Sequence, residues 1–290
     1  MKRIIKLILL LLLIPIGTFA QTEELSLSNK AIRKSRPTYI GITMGFSSSK
    51  YRDFATSPLF YSGAPIYFGA SRHRLDEKKE THVGISLSSG SYSNEYNRHT
   101  AESSVQVLSG YYSQLFKLNK LSSDKLNVKA GGLFTTTANL RINESLQNNA
   151  LGIELIPTLF GSIKLTKDIS RKEEKQKKFI FIKYRLKERT RNLSFNLNIG
   201  LLNSSLRNGF AYAGQSSILN DAKLFDRYEF KMFSGFRMSS ALDYTISLSN
   251  KNKVQLSYLW DAYKTGGELD QFNMIMHTFK ITLLFNTNNK

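Results

Sequence analysis

The chain of 290 residues has no cysteine, a formal net charge of +19 and 41% hydrophobic residues. The missing cysteines exclude a disulfide framework, thiol chemistry and a lipid-modified cysteine behind a leader. Beyond residue 16 no apolar run approaches the roughly 20 residues of a spanning helix, which excludes a helical membrane bundle.

Lys2, Arg3 and Lys6 precede an apolar run from Leu7 to Ile16 that only Pro15 interrupts, and Thr18-Phe19-Ala20 sets a small residue before the polar Gln21. That is the order of a secretory leader. It predicts a cleaved signal peptide over 1–20, because the run is short for roughly 30 Å of hydrocarbon. A terminal segment over 21–36, on the periplasmic side, and one domain over 37–290 are expected to follow.

From there the chain reads as short strands. Ile40, Ile42, Met44 and Phe46 alternate with Gly41, Thr43 and Gly45; Val83, Ile85 and Leu87 alternate with Gly84, Ser86 and Ser88. A period of two puts each apolar set on one face of a strand, whereas a helix would scatter it. Segments 60–72, 102–118, 125–138 and 150–166 show the same tendency with more noise, and Pro157 in the last marks a bulge or an unpaired position. Residues 192–201 (NLSFNLNIGL) alternate without interruption. So do Leu242, Tyr244, Ile246 and Leu248, then Val254, Leu256, Tyr258 and Trp260. With 272–285 this predicts ten strands, eight or twelve lying within the error of boundaries read from one sequence.

The connections predict sidedness. Those at 74–80, 119–124 and 250–253 are short, while the joins at 47–58, 91–101, 139–149, 207–227 and 264–271 are mostly longer and rich in Gly, Ser, Asn and Tyr. Short turns on one side and long loops on the other suit a transmembrane barrel, with both ends of the mature chain in the periplasm. The apolar sets would face lipid. The lumen would hold Ser86, Ser88, Asn196, Asn198 and Thr282, with Lys129, Glu154, Lys164, Arg237, Asp243, Asp261 and Lys280, and would be plugged or narrow at this strand number. Tyr39, Tyr111, Tyr112, Tyr258, Trp260 and Tyr263 suit aromatic girdles.

The insert 167–191 stands apart: eleven Lys or Arg against four Asp or Glu give it +7 of the net charge. Its stretch 178–187 (KFIFIKYRLK) suits a basic hairpin extension in the periplasm, while Ser170 with Glu173 suits a capping box for a short helix. Arg171, Lys172, Lys175, Lys177, Lys178 and Arg185 are the candidates for binding an acidic periplasmic partner or anionic headgroups; a solvated tip without a partner is the alternative. Nucleic acid is not expected, for want of a recognition motif in an exported chain.

The last strand carries a family resemblance. In His277-Thr278-Phe279-Lys280-Ile281-Thr282-Leu283-Leu284-Phe285, one face shows Phe279, Ile281, Leu283 and Phe285, and the strand ends on an aromatic residue. It resembles the closing strand of outer-membrane β-barrel proteins of Gram-negative bacteria, although residues 286–290 follow the aromatic, which in that family is often last. The resemblance implies an all-β, antiparallel up-and-down barrel surrounded by outer-membrane lipids and lipopolysaccharide. It also implies a barrel-assembly machinery that reads those four residues by strand pairing.

Chemistry is sparse. Of His73, His82, His99 and His277, only His99, near Ser103 and Ser104 at an external rim, could start an acyl-hydrolase arrangement, and no acid is fixed beside it by spacing. No metal-ligand spacing or phosphate loop is present, so no cofactor is expected. The expected function is a non-enzymatic barrel that is structural, anchors partners, or binds or passes small solutes. An outer-membrane lipid- or peptide-hydrolysing enzyme and a secreted soluble β-sandwich stay open.

Overall fold

The computed structural model describes residues 36–96, 99–149, 151–179, 181–208, 228–267 and 270–287. The expected signal peptide, and all but the last residue of the segment 21–36, lie outside them. The described chain forms β1 (Thr38–Asp53), β2 (Ser57–Gly63), β3 (Ile66–Leu75), β4 (Lys79–Tyr96), β5 (His99–Lys117), β6 (Leu126–Ile142), β7 (Leu151–Asp168), β8 (Lys175–Phe179), β9 (Ile182–Leu186), β10 (Arg191–Asn203), β11 (Ser205–Asn208), β12 (Tyr228–Lys231), β13 (Phe236–Ser247), β14 (Lys253–Lys264) and β15 (Phe272–Asn286). All pairings are antiparallel, and they close on themselves. β1 is bonded to β15 on one side and to β2 and β3 on the other, and the ring runs on through β4, β5, β6, β7, β10, β13 and β14 to β15. Because β2 and β3 share one position, interrupted around Pro65, the wall has ten strand positions. The closed ring excludes the soluble sandwich that the sequence left open.

Alternation decides which way each side chain points. On β1, Ile42, Met44 and Phe46 are 58%, 60% and 66% exposed on the outside, while Thr43 and Ser47 are buried inside, bonded to Thr282 (2.8 Å) and Thr278 (2.9 Å). Ile85 on β4, Leu193, Phe195 and Ile199 on β10, and Phe279, Ile281, Leu283 and Phe285 on β15 continue this belt around the wall. A continuous exposed apolar band on this scale needs an apolar surround. The inward residues expected from the sequence all face the lumen.

Two expectations need correction. The joins at 47–58 and 91–101 are largely strand, β1 running to Asp53 and β4 to Tyr96, while in 139–149 β6 runs to Ile142 and a short 3-10 helix follows over Glu144–Asn149. Above the belt the outward positions, such as Ser48, Lys50 and Arg52, are polar, so the alternation that marks a strand fades although the ladder continues. At 16 to 19 residues, β1, β4, β5 and β7 exceed the roughly 9–11 that hydrocarbon requires. The walls therefore project beyond the belt at the end opposite Thr38 and Asn286.

The girdle assignment is half right. Tyr112, Tyr258 and Trp260 face outward, whereas Tyr39 and Tyr263 are buried inside and Tyr111 lines the lumen. Of the two readings of the insert, the hairpin is the one formed: β8 pairs with β9, Arg171 bridges to Arg189, and Ser170 Oγ is turned to Asp168 rather than capping a helix. Pro157 lies on an outward position of β7 next to a register shift, which falls on the facing strand between Gly200 and Leu202.

Candidate functional site: a polar cup beneath a filled outer half

The half of the lumen far from the two chain ends is filled. Tyr51 stacks on Tyr61 (5.1 Å between ring centroids), meets Tyr92 edge-on (5.4 Å) and lies 6.0 Å from Phe272. Val105, Val107, Ile156 and Met274 complete the cluster. Above it sits an ionic knot. Arg141 donates to Asp53 Oδ2 (2.6 Å) and to Glu154, and Arg207 donates to Asp53 Oδ1 (2.6 Å). The Arg141 guanidinium also lies 4.7 Å from the Phe272 ring centre. All four charged side chains are buried, so each must be paired to stay there. One level lower, Arg237 holds Asp261 (2.7 Å) and Thr137 (2.9 Å), with its guanidinium over Tyr263.

Beneath this floor the lumen opens into a cup of about 970 Å³. Its mouth is formed by the connections on the side of Thr38 and Asn286, including Asp76, Glu77, Ser122 and Ser123; its floor includes Phe160, Arg237, Leu259 and Met276. Glu80 is shared by Lys129 (3.3 Å) and Lys164. His73 stacks on His82 with centroids 3.8 Å apart, and Ser71 Oγ lies 2.9 Å from His73 Nε2. Asn198 accepts from Ser162 (2.7 Å) and donates to Ser239 (3.0 Å). Glycine gives the interior room for these groups: a Cβ on Gly84 would come within 2.6 Å of the Tyr111 hydroxyl. At the rim the Lys117 ammonium bonded to Glu77 holds that carboxyl below its usual range.

The residues singled out in the sequence fall in three places. His99 begins β5 opposite Tyr96, its side chain lying outside the described residues; Ser103 faces the interior and Ser104 the exterior, so the two cannot serve one centre together. Phe279, Ile281, Leu283 and Phe285 lie on the outer face of β15, the strand that closes the ring against β1. In the hairpin, Lys172 is exposed, Arg171 donates to the Lys187 carbonyl (3.1 Å) and Arg185 pairs with Glu174 (3.2 Å). The side chains of Lys175, Lys177 and Lys178 are outside the described residues. Sequence reasoning missed the knot and, among the members of the cup, Glu80, Lys253 and Tyr67. The phase of alternation marks Arg141 as inward, since it keeps step with Lys129 on β6; Lys253 was hidden because it follows a turn.

No protein-family model matches the sequence, and no curated protein does. Among solved structures, the outer-membrane protease OmpT from Escherichia coli aligns at 9% identity and a TM-score of 0.48, over 86% of this chain and 96% of that one. The translocator domain of the autotransporter NalP from Neisseria meningitidis aligns at 7% and 0.37, over 90% and 92%. The toluene transporter TodX from P. putida aligns at 7% and 0.31, over 88% and 91%. With its closed ring, apolar exterior and polar interior, the protein resembles outer-membrane β-barrels in architecture.

Proposed function

We propose that the protein is a non-enzymatic outer-membrane barrel, closed to through-flow, that presents a polar cup and a basic hairpin to the periplasm. One observation carries this reading: the strands that bear an apolar belt outside hold a filled, ion-paired half inside and, among the described residues, a cup open at the other end. With ten antiparallel strands both chain ends share a side, and by the usual asymmetry of such barrels that side is periplasmic. The expected result in a planar bilayer is no stepwise conductance from the purified protein; porin-like steps overturn the reading.

Sidedness is tested at Lys172, which is exposed on the hairpin. In a Lys172→Cys variant, an impermeant maleimide labels the new thiol only after the outer membrane is opened. Labelling of intact cells reverses the topology. The charge of the hairpin supports contact with an acidic periplasmic partner or with anionic headgroups, each basic group near such a surface contributing about 1 kcal/mol. Changing Arg171, Lys172, Lys175, Lys177, Lys178 and Arg185 together to glutamine is expected to leave assembly intact and to release any salt-sensitive partner that co-purifies; an unchanged set of partners removes the docking role.

A further inference from the structure

The lining charges of the cup balance overall, seven bases against seven acids, but the acids gather at the mouth. Apart from the mouth residues Asp76, Glu77, Asp124, Asp168, Lys117 and Lys125, the walls carry five bases (Lys129, Lys164, Arg237, Lys253 and Lys280) against three acids (Glu80, Asp243 and Asp261), an excess of two positive charges. Arg237 is neutralised by Asp261, and one Glu80 serves both Lys129 and Lys164. That leaves Lys253 and Lys280. Among the described residues neither meets a carboxylate: the Lys253 ammonium lies 4.7 Å from the Tyr39 ring centre, and that of Lys280 5.5 Å from the Tyr67 ring centre. A tyrosine face orients an ammonium without neutralising it. Asp243 likewise has no base within ion-pair distance among the described residues, although it shares a cross-strand row with Lys280 through Ser257. Two strand spacings put their backbones about 10 Å apart. Lys253 is four residues from Ser257 along β14, which places it about 13 Å nearer the mouth.

We propose that the cup binds a small hydroxylated anion, of the size and chemistry of a sugar phosphate or an acidic sugar, which enters from the hairpin end. This rests on the cup being open, not on its sidedness. Lys280 and Lys253 take the anionic group. Asp243 accepts hydrogen bonds from ligand hydroxyls, a role that a bare anion cannot fill and that would repel one. Asn196 and Gln255, which line the same wall, add donors and acceptors. The volume lies within the range of small-molecule sites, roughly 300–1,000 Å³. Longer polyanions are disfavoured by the acidic rim, where Asp76, Glu77, Asp124 and Asp168 outnumber Lys117 and Lys125. Exposed rim charges are screened over about 8 Å at physiological salt, whereas charges inside the barrel are screened much less.

The test uses the whole barrel in neutral detergent, with glucose 6-phosphate, glucose and inorganic phosphate titrated calorimetrically. Glucose 6-phosphate is expected to bind at least about tenfold tighter than either of the others, because only it satisfies both the lysines and Asp243. Lys280→Gln and Lys253→Gln are each expected to weaken it about tenfold. Arg171→Gln with Lys172→Gln is expected to leave it unchanged. Absence of binding, equal affinity for glucose, equal affinity for inorganic phosphate, or loss of binding in the hairpin variant overturns the proposal. The comparison among the three ligands is made on the unaltered protein, so it decides the matter even where a lysine variant fails to assemble. Conductance and labelling read out separately. A barrel that is closed and oriented as proposed, yet binds nothing, sinks this inference alone.

Discussion

Replacing Arg141 with methionine is expected to lower the unfolding free energy by about 3–5 kcal/mol, the cost of stripping one partner from a buried ion cluster. Arg141 bridges Asp53 and Glu154, and with both carboxylates buried, its loss leaves Glu154 only Arg207, which is 3.8 Å away and closer to Asp53 (2.6 Å). Urea unfolding in lipid vesicles, read by the electrophoretic shift between folded and unfolded barrel, measures this. The double change Arg141→Met with Glu154→Gln is expected to cost clearly less than the sum of the two single changes, because the second removes the charge that the first strands. Simple additivity means that the residues do not act as one knot. A single change costing under about 1 kcal/mol means that water reaches the outer half of the lumen, since that is the ordinary value of an exposed pair.

Leu197→Arg, at the centre of the outward set on β10, is expected to destabilise the barrel by about 2–4 kcal/mol when the protein is folded in a bilayer. The neighbouring change Asn196→Asp points the other way, into the cup opposite Lys164, and is expected to cost much less. The contrast isolates the environment, since the two positions are adjacent on one strand and share its backbone bonds. Equal costs would mean that the outside of β10 does not meet lipid.

How much of this was legible in the chain depends on whether one face of a strand stayed apolar. Along Ile40 to Phe46 and Leu193 to Leu201 it did, and there the sequence predicts both the strand and the facing of its residues. Above the belt it did not. Ser47 to Asp53 carry Ser, Lys, Arg and Tyr, a composition shared by loops and by strands that stand in water, so the projecting half of β1 was indistinguishable from a loop. The same weakness hid the break between β2 and β3, which local sequence marks only by Pro65. The hairpin of the insert competed evenly with a capped helix because a run of charge has no period; pairing of β8 with β9 decided it.

Composition and period alone therefore determined the all-β class, the strand number, the lipid-facing and lumen-facing sets and the separateness of the basic insert. Each follows from local alternation, since a residue's face depends only on its parity along the strand. What lies opposite what across the lumen depended on ring closure and register. Arg141, Glu154 and Arg207 sit on neighbouring strands, but Asp53 comes from β1, and only the closed wall brings it within ion-pair distance of the two arginines. Lys253 and Lys280 are likewise inward by parity, but that tyrosines rather than carboxylates meet them is a fact of three-dimensional packing. Parity says that a charge points inward; the far wall decides whether it is answered.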